Sequence, residues 1–219
     1  MQHDPEREES LLIPYGLEYQ GAKVLPSSEE HPFLRVELDG QVINTNLVGS
    51  YNADNVMAAL AVGKQFGVTL EEAVKAIEAY VPSNNRSQMT KTAKNTLIVD
   101  AYNANPTSMA AALENFANVS AECKVAMLGD MLELGEDSLA EHVAVVRSVI
   151  SRSFAATCFV GKEFTAASAE FTEEELAGIH FFATSDELAQ YLTENPFDGA
   201  TVLIKGSRGT RMEKVIPVL

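Results

Sequence analysis

Three stretches of this chain place polar side chains where a plain connection needs only a turn. In "VDAYNANPTSMAAALENF", residues 99–116, Asp100, Tyr102, Asn103 and Asn105 stand between an apolar run and a helical pattern. Asn105-Pro106 has the form of an N-cap followed by proline at the first helical position, which accounts for Asn105 and leaves the other three unexplained. An acidic side chain at a strand end can accept from ribose hydroxyls, and a tyrosine and an amide beside a helix N-terminus can bond carboxylate or phosphoryl oxygens. In "LIKGSRGTRME", Lys205, Ser207, Arg208 and Arg211 gather at the last strand-to-helix junction. In a chain with 31 acidic and 16 basic residues, that gathering suggests an anion site, against the simpler reading of a solvated loop. In "LGDMLELGEDS", Asp130 and Glu133 form either a carboxylate pair for Mg²⁺ or a ligand amine, or a solvated acidic turn. His142, on the following helix, reads as a surface residue rather than a general base. Asn52 and Asn55 lie one helical turn apart and share a face, from which amides could read the edge of an adenine. Arg86, in a connecting segment, either contacts a nucleotide or is simply solvated.

The elements that would hold these residues follow from the apolar pattern. "TLIVDAY", "KVAMLGD", "ATCFVG", "IHFFAT" and "TVLIKG" are short and nearly continuous in apolar residues, as parallel strands covered on both faces are. Helical segments alternate with them at 106–118, 138–152, 162–176, 185–193 and from 210 to the end. Capping boxes are expected at Ser138 with Glu141 and at Thr210 with Glu213. Met109, Ala112, Leu113 and Phe116 recur at helical spacing and are expected to face the core. Residues 82–219 therefore predict a Rossmann-like, doubly wound and mostly parallel α/β sheet, in which ligands bind beyond the carboxyl ends of the strands.

Residues 1–81 read differently. Asp39-Gly40 between "FLRVEL" and "QVINTN" predicts a hairpin. Ser50 is expected to cap a helix reaching Phe66, with Val56, Ala59, Leu60 and Val62 inward and Gly67 ending it. Thr69 and Glu72 form a capping box for a second helix that buries Ala73, Val74 and Ile77 and stops at Pro82. A hairpin and two helices make a remainder of a domain rather than a complete one.

Composition limits the function. The formal net charge of -15 opposes nucleic-acid binding, because phosphate contacts need a basic surface, but it leaves room for a small phosphorylated ligand held by a few local groups. No apolar run approaches the roughly 20 residues of a membrane helix, and "MQHDPEREES" is not a secretory signal, so a cytoplasmic protein without membrane insertion is expected. Cys123 and Cys158 stand too far apart in sequence to suggest a disulfide framework or a zinc site, and no metal ligands are assigned. A monomer is expected.

Together these motifs resemble the Mur ligases, the ATP-dependent amide-forming enzymes of peptidoglycan synthesis. "LVGSYNADNVMAALAVGKQFGV" is similar to the family's late central-domain motif and "DAYNANPTSMAAAL" to the opening of its C-terminal domain, and the likeness runs from about Tyr15 to the end. "MLGDMLELGEDSLAEH" and "LIKGSRGTRME" resemble the branch that adds D-alanyl-D-alanine to UDP-N-acetylmuramoyl-tripeptide. The resemblance implies that ATP, with Mg²⁺, phosphorylates the terminal carboxylate of the UDP-linked peptide. The dipeptide amine then attacks the acyl phosphate, and phosphate leaves. It implies that residues 1–81 are the C-terminal portion of an ATP-binding central domain and that 82–219 are the C-terminal domain. Asn55, with Asn52 beside it, would contact adenine. Arg86 and Asp100 would contact the nucleotide, Asp100 through the ribose. Tyr102, Asn103 and Asn105 would face the acyl phosphate and incoming dipeptide. Asp130, Lys205, Ser207 and Arg208 would bind substrate, the last three near the dipeptide carboxylate.

The sequence also departs from the family. No G-x-x-x-x-G-K-[ST] occurs, since "VGKQF" and "VGKEF" lack both the leading glycine spacing and the Ser/Thr. Asn85 stands where the family often has glycine, and "VDAY" has one acid where two are common. The phosphate loop, the Mg²⁺ ligands, a carbamylated lysine and a UDP-binding domain are expected upstream of Met1. The chain is accordingly expected to be the C-terminal half of such an enzyme, inactive alone and without a tightly bound cofactor. A non-catalytic nucleotide- or partner-binding module is one alternative, and another Mur-type or folylpolyglutamate ligase is a second, against which "YNANP" and "LGDMLELG" stand. A dinucleotide oxidoreductase lacks its G-x-G-x-x-G at the first strand-to-helix turn of the doubly wound region.

Overall fold

A computed structural model describes residues 12–28, 31–83 and 86–219, so Asn85 lies outside the described residues. The larger sheet has six strands, β4 (Gln88–Lys91), β5 (Thr96–Asp100), β6 (Lys124–Gly129), β7 (Ala156–Val160), β8 (Ile179–Phe182) and β9 (Thr201–Lys205), in the order β4-β5-β9-β6-β7-β8. All pairs are parallel except β4 with β5. The five parallel strands are the five apolar runs of the sequence. "QMTK" is polar and half exposed, which is why β4, an antiparallel edge, carries no such signal.

The two faces of this sheet bury separate cores. Ile98, Ala126, Leu128, Phe159 and Leu203 meet α4 (Pro106–Ala117), α5 (Ser138–Ile150) and α6 (Lys162–Ala167) on one face. Leu97, Val99, Val125, Met127 and Val202 meet α7 (Ser185–Glu194) and the C-terminal segment on the other. Alternate residues of each strand thus point opposite ways, as the period of two requires. The fold is the expected mixed α/β, mostly parallel sheet. Met109, Ala112, Leu113 and Phe116 are all buried.

Several local expectations are corrected. Residues 210–219 do not form an α-helix. They make 3-10 turns over Arg208–Thr210 and Met212–Val218, with Pro217 inside and Arg211 left-handed between them. The Thr210 hydroxyl donates to the Ser207 carbonyl instead of capping. Ser138 lies inside α5, after Asp137, and its hydroxyl donates to Glu163. The helix expected over 162–176 ends at Ala167 and closes in a 3-10 turn.

The smaller sheet, β1 (Lys23–Leu25), β2 (Arg35–Leu38) and β3 (Gln41–Asn44), is antiparallel. Asp39 and Gly40, with φ of 51° and 76°, make the expected tight hairpin turn, in which both central residues are left-handed. After α1 (Leu17–Gln20) opens the described chain, α2 (Ala53–Gln65) and α3 (Leu70–Ala79) cover this sheet through Val56, Met57, Leu60 and Val74. Ala59 and Val62 face outward, so the inward stripe of α2 is Ala53, Val56, Met57 and Leu60. Thr69 and Glu72 do form a reciprocal capping box. Ser50 begins a 3-10 turn instead of capping α2, and its hydroxyl donates to Asn115 Oδ1 on α4.

Candidate functional site at the ends of β5 and β9

The register of the sheet sets Asp100 directly opposite Lys205 at the carboxyl ends of neighbouring strands. Lys205 is 1% exposed, and its ammonium donates to Asp100 Oδ2 at 2.6 Å and to the Asn103 carbonyl at 3.3 Å. A lysine so buried needs such partners, because an unpaired charge is costly away from water. Lys205 is thereby a strut under the loop of residues 101–105, not a free cation at its surface.

The other oxygen of Asp100 ties the two sheets together. Oδ1 accepts from the Ser87 backbone N–H at 3.2 Å, and the Ser87 hydroxyl accepts from Asn52 Nδ2 at 3.1 Å. Asn52 Nδ2 also donates to the Val48 carbonyl, and Asn52 Oδ1 accepts from Asn55 Nδ2 at 3.1 Å. Asn52 is therefore buried and committed inside the fold, whereas Asn55 keeps an exposed position on α2. Ser87 and Tyr51 escaped sequence reasoning. Ser87 holds a left-handed backbone, φ 45°, uncommon for a residue with a side chain. Its hydroxyl lies 3.3 Å from the Tyr51 hydroxyl. Burial, then the nearby Asp100 charge, push the Tyr51 phenol above its ordinary range, so it stays a neutral hydroxyl. Nothing in "NNRSQ" distinguishes that serine from a loop residue.

Above this network lies an exposed rim. The Arg86 guanidinium sits 3.6 Å from the centre of the Tyr102 ring, and that of Arg208 sits 5.8 Å from it. Both distances suit a cation over an aromatic face. Asn103 is exposed beside them. The structure thus brings Asn52, Asn55, Arg86, Asp100, Tyr102, Asn103, Lys205 and Arg208 into one region at the end of the sheet where ligands bind in open α/β folds.

Asn105 and Asp130 are used differently. Asn105 Oδ1 accepts from Ser108 N–H at 2.8 Å while Ser108 Oγ accepts from Asn105 N–H, a reciprocal cap of α4. The Asp130 carboxylate accepts from the N–H groups of Glu163 and Phe164 at 3.1 and 3.0 Å, holding the first turn of α6. Burial raises its pKa above the ordinary value, against those two hydrogen bonds. A Cβ on Gly161, whose φ is 123°, would stand 2.2 Å from Asp130 Oδ2, so only glycine leaves room for this contact. Asp130 points into the fold and Glu133 is exposed, so the two carboxylates do not converge as a pair. Among the described residues no three His, Cys, Asp or Glu side chains group as a metal site would need. His142, expected at the surface, is fully buried. Ser207 is buried too, accepting from Leu132 N–H at 3.0 Å and donating to the Ala104 carbonyl at 3.3 Å, so it braces the loops rather than facing solvent.

Comparison with known proteins defines the class. Residues 85–208 match the family model described as "Mur ligase, glutamate ligase domain", and the chain belongs to the Mur ligase family. Within it, the chain is similar to MurF. It is 35% identical over 187 residues to the UDP-N-acetylmuramoyl-tripeptide--D-alanyl-D-alanine ligase of Treponema pallidum, a match covering 84% of this chain and 40% of that protein. The crystal structure of MurF from Acinetobacter baumannii superposes with a TM-score of 0.73 at 29% identity, covering 84% of this chain and 41% of that one. MurF from Thermotoga maritima, crystallised in complex with ADP, shares the fold with a TM-score of 0.70 at 20% identity. The chain spans about two fifths of the length of the relatives it matches.

Proposed function

We propose that this chain supplies the acceptor-side wall and part of the nucleotide site of an ATP-dependent ligase that joins D-alanyl-D-alanine to UDP-N-acetylmuramoyl-tripeptide in peptidoglycan synthesis. In this reading residues 1–81 are the C-terminal portion of the ATP-binding central domain and residues 82–219 the C-terminal domain. The observation that carries it is the exposed rim of Arg86, Tyr102, Asn103 and Arg208 above the buried Asp100–Lys205 pair. Two guanidinium groups and an amide there can bind the anions of such a reaction, the dipeptide carboxylate and the phosphoryl oxygens. Asn55, at the start of α2, faces the adenine, and Asp100 lies where it meets the ribose once its Ser87 contact yields. Mg²⁺ would accompany the ATP phosphates, and no step here is routed through a metal site of this chain.

The chemistry divides accordingly. ATP phosphorylates the peptide carboxylate, the dipeptide amine attacks the acyl carbon, and the tetrahedral adduct expels phosphate. These residues orient the acceptor and stabilise developing charge, both of which act by preorganisation. The 219 residues contain no phosphate-binding loop motif, so the chain alone is expected to bind ligand without turnover.

Calorimetric titration with D-alanyl-D-alanine, and separately with ATP and Mg²⁺, tests the reading. Saturable dipeptide binding weakened about tenfold or more by Asn103→Ala or Arg208→Ala, both at exposed positions, is the expected result. Nucleotide binding without any dipeptide binding would favour a nucleotide-binding module. Release of phosphate from ATP by the chain alone, with both substrates present, would overturn the expectation of no turnover.

A further inference from the structure

His142 is fully buried on α5, and no role assigned above uses it. Its ring is fixed from three sides. Nε2 accepts from the Met131 backbone N–H at 3.0 Å, Nδ1 lies 2.7 Å from the Ser138 carbonyl oxygen, and the ring meets Phe164 edge-on with centroids 4.6 Å apart. An amide N–H only donates and a carbonyl oxygen only accepts. The imidazole is therefore neutral with its proton on Nδ1. Asp130 Oδ1, 3.8 Å from Nε2, lies beyond hydrogen-bond distance and already accepts from Phe164.

The residue held by Nε2 sits in the middle of a bracing system. Asp130 O accepts from Ser207 N–H, Met131 N–H donates to His142, and Leu132 N–H donates to Ser207 Oγ. Ser207 Oγ in turn donates to Ala104 O, in the loop that carries Asn103. Three strand-end loops, after β5, β6 and β9, are thus bonded to one another. The tie to His142 fastens them to the helix layer below. Met131 is 1% exposed, so without that tie its N–H would be a buried, unpaired donor.

We propose that His142 is a positioning residue. As a neutral imidazole protonated on Nδ1, it holds the loop after β6 in register with the Ser207 and Asn103 loops, and so sets the shape of the wall that an acceptor would meet. The loop-holding part stands on the geometry alone. The acceptor part rests on the ligase reading.

The test uses the whole ¹⁵N-labelled chain, its His142→Gln and His142→Leu variants, and His142→Asn. Glutamine can present an acceptor near the place of Nε2, whereas leucine has none and asparagine is too short to reach. Nitrogen NMR is expected to show Nδ1 protonated and Nε2 bare. Hydrogen exchange at the Met131 amide is expected to quicken about tenfold or more in His142→Leu and to stay near the unsubstituted rate in His142→Gln. D-Alanyl-D-alanine binding is expected to follow the same order. If His142→Leu does not fold, glutamine against asparagine makes the comparison. A proton on Nε2, or Met131, Leu132 and Ser207 amides that exchange alike in all folded variants, overturns the proposal. Absence of dipeptide binding in the unsubstituted chain would overturn its acceptor part together with the binding expected above. Exchange at Met131 would still decide the loop-holding part.

Discussion

At the scale of single residues, the site is defined by which charges are already spent. Asp100 and Lys205 stand side by side in the ladder and neutralise one another, with side chains 15% and 1% exposed. Removing one member of a buried pair leaves the other charge desolvated, whereas replacing both with apolar groups removes the conflict. Lys205→Met is therefore expected to cost roughly 3 kcal/mol of stability, and the double variant Asp100→Leu with Lys205→Met to recover part of that loss. Urea unfolding with an unchanged slope is the measurement. A Lys205→Met chain as stable as the original would show that the ammonium is not held as described. The same logic separates Arg86 and Arg208, stacked on Tyr102 and exposed, from Lys205. The sequence presents all three cations alike, and only strand register shows that one is internal.

At the scale of elements, capping chemistry decided which sequence signals could be trusted. Thr-x-x-Glu at residues 69–72 and Asn105 before Pro106 both became reciprocal caps, because each polar residue itself has extended backbone immediately before the first helical turn. The similar patterns at Ser138 and Thr210 did not. Ser138 already sits in helical backbone after a 3-10 turn, and no α-helix follows Thr210. The five parallel strands were legible because burial on both faces demands continuous apolar runs. The polar edge strand β4 was not, since half-exposed residues leave no apolar run, and neither was the tie through Ser87, whose partners Asn52 and Asp100 are distant in sequence.

One consequence at this scale is pH-dependent. Hydrogen bonds from the Thr69 side chain and then its backbone hold the Glu72 carboxyl below its ordinary value of 4.5. A carboxylate whose folded pKa is depressed contributes stability above its unfolded pKa and loses it as pH falls through the folded one. The stability difference between the natural chain and Glu72→Gln is thus expected to be present at neutral pH and to close at acid pH below that window. Denaturation curves at pH 7 and at about pH 3 check this. A difference that persists unchanged at the lower pH would mean that the cap does not depend on the ionised carboxylate.

At the scale of the whole molecule, the smaller antiparallel sheet and the larger, mostly parallel one are joined by specific contacts. Ser50 N–H and Oγ both bond Asn115 Oδ1, and Val48 packs into the core of the large sheet. The chain of bonds from Asn55 through Asn52 and Ser87 to Asp100 crosses between them. If that relay couples the two parts, its members cannot act independently. Asn52→Ala and Ser87→Ala are each expected to lower stability by about 1 kcal/mol, and their double variant by less than the sum, because both remove the bond from Asn52 Nδ2 to Ser87 Oγ. A double-mutant cycle by urea unfolding measures the coupling, and strict additivity would show that the bond contributes nothing. The same relay engages Asp100 Oδ1 inside the protein, and in the proposed ligase reading a ribose hydroxyl competes for it. Ser87 keeps its backbone N–H when its hydroxyl is removed, so Ser87→Ala leaves that acceptor engaged while loosening the smaller sheet. In the ligase reading, nucleotide affinity in this variant should therefore change through Asn52, which loses one of its two donor bonds, and Asn55, which is bonded to it, and not through Asp100. Titration of Ser87→Ala beside Asn55→Ala distinguishes the two routes. Matching losses in both variants place the effect on α2, and a loss confined to Ser87→Ala returns it to Asp100.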